Sequence, residues 1–179
     1  PFLEVLEVYP YELPENVTAI QGETEEDIEF SIYLSIPVLP ENPGIEGVPL
    51  AILFHAFNNP SRDSYTDWIE RLVGKGMVVA YIQYPTDIRP EGGDDFDPDN
   101  IEGTSDWPHH VPRLHSISSA LNKLSIVIGD DTRGQEIDDV LGNLSIMPEH
   151  LYIGGHSLGG AYSISALQMA QEFSWGSET

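Results

Sequence analysis

Two short segments, residues 49–54 and 77–82, are uncharged and apolar on both of the faces that a strand would present. Such strands belong in the middle of a parallel sheet, where helices cover each side. Between them Asn58, Asn59, Pro60 and Ser61 make a turn. Tyr65, Trp68, Ile69, Leu72 and Val73 then recur at helical spacing until Gly74 and Gly76 end the helix. Strand, helix and strand in this rhythm imply a right-handed crossover and an α/β fold on a mostly parallel sheet.

The flanking segments fit the same architecture. Ile28, Phe30, Ile32, Leu34 and Ile36 alternate with Glu29, Ser31, Tyr33 and Ser35, the period of an antiparallel strand with one buried face. Residues 40–47, with two prolines and two glycines, read as a loop. Residues 85–108 form a long acidic loop with no apolar period, crowded with Gly92, Gly93, Asp94, Asp95, Asp97 and Asp99; loops of this length are usually functional or mobile. A helix is expected from near Pro112, with Leu114, Ile117, Leu121 and Leu124 on one face, until Gly129. A short helix around 137–144, a short strand at Leu151, Tyr152 and Ile153, and a final helix to about Phe173 with Ile164 and Leu167 inward complete the pattern. No internal repeat is present.

At 179 residues the chain has the size of one domain. Its 30 acidic residues against 7 basic ones give a formal charge of -23. That argues against nucleic acid as a partner and disfavours anionic membrane surfaces, since both need basic groups. With only Lys75 and Lys123 as lysines and acids spread along the whole chain, the surface reads either as salt-adapted or as that of an ordinary acidic protein. There is no cysteine, hence no disulfide, thiolate nucleophile or Cys-ligated metal. The longest strongly apolar stretch, 48–57, is half the length needed to cross a bilayer, so no membrane span is expected. The chain opens at Pro1 without a basic-then-apolar leader. Its start reads as internal, and cytoplasmic and secreted locations both stay open.

Gly155-His156-Ser157-Leu158-Gly159 is a G-x-S-x-G pattern between an apolar strand and a helix, and Gly160 extends it. A nucleophilic serine at this place needs a strained strand-to-helix turn that projects its hydroxyl, and side chains at the flanking positions would collide with neighbouring backbone. Ser157 is therefore the candidate nucleophile; a close-packed glycine turn without chemistry is the alternative. Acyl transfer also needs two N–H groups aimed at the developing oxyanion. One would come from Leu158, and the other from the segment Phe54-His55-Ala56-Phe57-Asn58 after the first parallel strand.

In these features the sequence resembles the α/β-hydrolase superfamily, among its esterase-like, dienelactone-hydrolase-like and chlorophyllase-like or polyester-hydrolase-like members. The resemblance runs in order over residues 48–171: His55-Ala56-Phe57 at a strand end, a tyrosine-bearing helix from Tyr65 to Leu72, Gly76-Met77-Val78-Val79, and the pair Tyr84-Pro85. It implies Ser157 as nucleophile and Phe57 and Leu158 as oxyanion donors. Gly155, His156, Gly159, His55 and Ala56 would support the elbow and the oxyanion loop. The implied activity is cleavage of a small-molecule carboxylic ester or related acyl bond without cofactor or metal. A non-catalytic relative that keeps the fold as a binding module is the rival; a serine peptidase or acyltransferase would share elbow and loop.

Two departures matter. Ala56 stands where the family usually has Gly, which bears on the loop if that residue needs positive φ. The family order is Ser, then Asp or Glu, then His, and no histidine follows Ser157. Residues 1–179 are thus expected to be the N-terminal part of one α/β-hydrolase domain, from its first strands through the elbow helix, lacking the acid and base and inactive alone. His109, His110 and His115 could act as base only in a rearranged site, and all six histidines read most simply as solvated or structural. Asp95, Asp97, Asp99 and Asp106 echo a calcium loop weakly, since Asn100 replaces its glycine. Asn16-Val17-Thr18 and Asn143-Leu144-Ser145 match glycosylation sequons.

Overall fold

A computed structural model describes residues 4–13, 30–40, 44–57, 59–86, 110–129 and 134–176. Its five strands are β1 (Glu4–Tyr11), β2 (Phe30–Pro37), β3 (Gly47–Phe54), β4 (Val78–Ile82) and β5 (Ser145–Gly155). They form one sheet in the order β1-β2-β4-β3-β5. β2 is antiparallel to both its neighbours, whereas β3 is parallel to β4 and to β5. Four strands therefore share one direction and β2 alone opposes them. Among the described residues four α-helices, α1 (Thr66–Val73), α2 (His110–Ile128), α3 (Gln135–Leu141) and α4 (Leu158–Ala170), connect or follow the strands.

The two apolar runs occupy the central positions because their alternate residues enter different cores. Val48, Leu50, Ile52 and Phe54 of β3, with Val78, Ala80 and Ile82 of β4, pack with Ile117, Leu121 and Leu124 of α2 and Tyr162 and Ala166 of α4. Ala51, Leu53, Val79 and Tyr81 point the other way, against Ile69, Leu72 and Val73 of α1. Helices thus cover both faces, as the doubly apolar strands require.

Three local expectations need correction. β2 is buried on both faces, not one: Ser31 and Ser35 are also inside, and the Ser35 hydroxyl donates to Glu4 and accepts from Arg62. Small hydroxyls can be buried when bonded in this way. β5 begins at Ser145, because Ser145, Ile146 and Met147 pair with Gly47, Val48 and Pro49 before the register jumps so that Leu151 faces Leu50. Pro148, Glu149 and His150 sit in that irregularity and mask the strand's periodicity. In α4 the inward side is Gly159, Tyr162, Ser163, Ala166 and Ala170, while Ile164 and Leu167 are exposed. The helix comes so close to β3 at Gly159 that most of its inward positions beside Tyr162 are small residues, so hydrophobicity alone misassigns its face.

The acidic loop, except for Pro85 and Thr86, lies outside the described residues, as do the echoed calcium ligands, Asn16 and His109. Among the described residues, no helix is long and apolar enough to cross a membrane.

Candidate active site

The ends of β3 and β5 come together at the sheet's carboxyl edge. β5 finishes at Gly155, opposite Phe54, and the His156 N–H donates to the Phe54 carbonyl at 3.1 Å. The chain then turns sharply. Ser157 stands at φ 53° and ψ -114° before α4 begins, one of two non-glycine residues with positive φ among those described. A left-handed serine of this kind is strained and persists only where its surroundings hold it.

The flanking glycines supply that hold. A Cβ on Gly155 would overlap the backbone of Gly159 and lie 2.8 Å from the Gly160 nitrogen. A Cβ on Gly159 would strike the carbonyls of His55 and Phe54. Hence the turn closes on itself and against β3 only with glycine at both positions. Ser157 and His156 are exposed, and with Asp63, Tyr65, Asp67 and Trp68 they line a cleft of about 620 Å³.

Leu158 opens α4, and the first N–H groups of a helix have no partner within it. The following amides of Gly159, Gly160 and Ala161 bond back to the His156 and Ser157 carbonyls. Among the described residues the Leu158 N–H, next to Ser157, makes no such bond back.

The loop after β3 is built around His55, which is fully buried. Its Nε2 accepts the Tyr84 N–H at 3.0 Å, so the proton resides on Nδ1, which lies 2.7 Å from the Ala56 carbonyl and donates to it. Tyr84 returns a bond from its hydroxyl to the His55 carbonyl at 2.8 Å and stacks on the imidazole at 4.2 Å. Burial lowers the His55 pKa to about 4, outweighing the bonds to Ala56 and Tyr84 that raise it. Both ring nitrogens are occupied and the ring is neutral, so His55 is a brace.

Ala56 is not among the positive-φ residues, which answers the question raised by its replacing glycine. Its N–H donates to the Tyr65 hydroxyl at 2.7 Å, tying the loop to the start of α1. Phe57 is 51% exposed. It lies outside the cleft lining, its ring facing the Arg113 guanidinium at 5.8 Å. His115 and His150 are exposed on α2 and β5. Among the described residues no group of three His, Cys, Asp or Glu is placed to hold a metal ion.

Sequence reasoning missed two parts of this site. The sequence marks Tyr84 only as half of an aromatic–proline pair, yet it makes two bonds to His55. Arg113 had a readable signal: it is four residues before Ile117, in line with the buried stripe of α2, where a cation is out of place.

No protein-family model matches the sequence, and no curated protein matches it. Solved structures do match. The chain is similar to EstE1, a thermophilic carboxylesterase cloned from a metagenomic library, with TM-score 0.52 and 12% identity over 97% of this chain and 44% of that one. It is similar to an esterase of Pyrobaculum calidifontis with TM-score 0.51 and 13% identity, over 96% of this chain and 41% of that one. A fungal esterase of Rhizomucor miehei gives TM-score 0.52 and 16% identity, again over 96% and 41%. The chain thus has an incomplete α/β-hydrolase fold and spans less than half the length of these esterases.

Proposed function

We propose that the whole protein is a serine hydrolase that cleaves a carboxylic ester or a related acyl bond through an acyl-enzyme. The observation that carries this reading is the exposed, left-handed Ser157 locked between Gly155 and Gly159. Holding a serine in so unfavourable a backbone conformation is explained by a need to project its hydroxyl. The esterase neighbours share the fold and support the same reading.

In the first step the Ser157 Oγ attacks the ester carbonyl carbon and its proton passes to a histidine base. The electron pair of the C=O bond moves onto oxygen, and the N–H groups of Leu158 and Phe57 stabilise that charge. Collapse of the tetrahedral intermediate expels the alcohol, which takes the proton from the histidine. Water, deprotonated by the same base, then attacks the acyl carbon, and collapse of the second tetrahedral intermediate releases the acid and expels the Ser157 Oγ, which takes the proton back from the histidine. His55 cannot be this base, since both its nitrogens are bonded. The base and the acid that orients it are assigned to chain outside residues 1–179, which alone would be inactive. A peptidase or acyltransferase would run through the same first step with a different leaving group or acceptor.

A fluorophosphonate probe tests the reading. The full-length protein should be labelled at Ser157, and Ser157→Ala should not be labelled. Equal labelling of both would remove Ser157 from the role. A protein that neither reacts with the probe nor turns over esters would favour the non-catalytic binding module.

A further inference from the structure

Arg113 is 5% exposed, one of only seven basic residues in the chain. Buried cations are ordinarily paired with carboxylates, and among the described residues none pairs with this one. Its partners among the described residues are neutral. The guanidinium donates to the Thr86 carbonyl and bonds the Tyr162 hydroxyl, and it faces the Phe57 ring within cation–π range. Its buried Nε has no partner among the described residues. Phe57 is half exposed, so burial alone does not hold its ring, and the Arg113 guanidinium lies over it at 5.8 Å among the described residues.

These neighbours sit on functionally distinct segments. Phe57 belongs to the loop after β3, and Tyr162 lies on α4, the helix that starts at Leu158. We infer that Arg113 is a positioning residue that fixes the Phe57 loop against α4, and so sets the separation of the two oxyanion donors. This rests on the proposed reading of Phe57 and Leu158 as those donors.

Hydrolysis of p-nitrophenyl acetate by the full-length protein tests it in Arg113→Met, Phe57→Leu and the double variant. Phe57→Leu changes a half-exposed side chain and leaves its N–H in place. Each single variant should lower kcat about tenfold, less than outright loss of an oxyanion donor, with KM within about twofold. The double variant should be no slower than the slower single. Affinity for a trifluoromethyl ketone, which mimics the oxyanion, should fall in parallel with kcat. If Arg113→Met does not fold, Arg113→Lys keeps the charge without the planar face and should still lose kcat severalfold. Full kcat in Phe57→Leu, or the same loss from the Arg113 change with and without Phe57, would overturn the inference. Should Ser157→Ala prove as active as the parent, the nucleophile reading fails instead. Exchange of the Phe57 amide proton then decides alone: acceleration in Arg113→Met upholds the positioning role, and an unchanged rate overturns it.

Discussion

The Phe54 carbonyl oxygen receives the His156 N–H at 3.1 Å and would lie 2.5 Å from a Cβ on Gly159. One peptide of β3 therefore meets the elbow from both sides of Ser157. Gly159→Ala forces backbone against backbone, where no side chain can yield. It should cost about 3 kcal/mol or more in chemical denaturation, at the upper end of overpacking effects. Gly160→Ala meets the Gly155 carbonyl only at 3.1 Å and should cost about 1 kcal/mol. Equal costs would show that the close approach to β3 is not what demands glycine.

Tyr65→Phe should separate the loop from α1. It removes the acceptor of the buried Ala56 N–H, and an unpaired buried donor costs about 1–3 kcal/mol. Because Ala56 precedes Phe57, kcat for ester hydrolysis should fall with it. A variant as stable and active as the parent would mean the bond is not needed.

His55 should make stability depend on pH in a definite direction. Its folded pKa of about 4 lies below the ordinary histidine value of 6.5. As pH falls below about 6.5 the unfolded chain gains a proton that the folded chain refuses, so stability is lost until about pH 4, where the folded form also takes it. Between pH 7 and pH 5 the loss attributable to this residue is about 2 kcal/mol. The fall in unfolding free energy should be smaller by that amount in His55→Asn, and parallel curves for the two proteins would contradict a buried neutral imidazole.

The charge of -23 leads to a salt dependence. Exposed carboxylates such as Asp63, Asp67 and Glu70 on one short stretch repel one another until ions screen them, and the Debye length falls from about 10 Å at 0.1 M to about 3 Å at 1 M. Thermal midpoints of the full-length protein should rise markedly between about 0.1 M and about 2 M KCl. A flat response would favour an ordinary acidic surface over a salt-adapted one.

What could be read from the sequence was whatever depended on local pattern. The doubly apolar β3 and β4, the stripe of α2 and the glycine spacing around Ser157 each stated their own role. What failed depended on distance and on packing at close quarters. The first half of β5 was hidden by Pro148 and the register jump after Met147. The exposed Ile164 and Leu167 read as core because the true contact face of α4, apart from Tyr162, is made of small residues. The bracing of His55 by Tyr84 joins residues 29 positions apart, and no spacing rule reaches that far.

The most direct measurement is the mass of the enzyme during turnover. The full-length protein, mixed with a p-nitrophenyl ester and quenched in acid before steady state, should release a burst of p-nitrophenol. It should also carry one acyl group, located on Ser157 by peptide mass spectrometry. Ser157→Ala should show neither burst nor adduct. An adduct on another residue, or ester turnover undiminished in Ser157→Ala, would contradict the account.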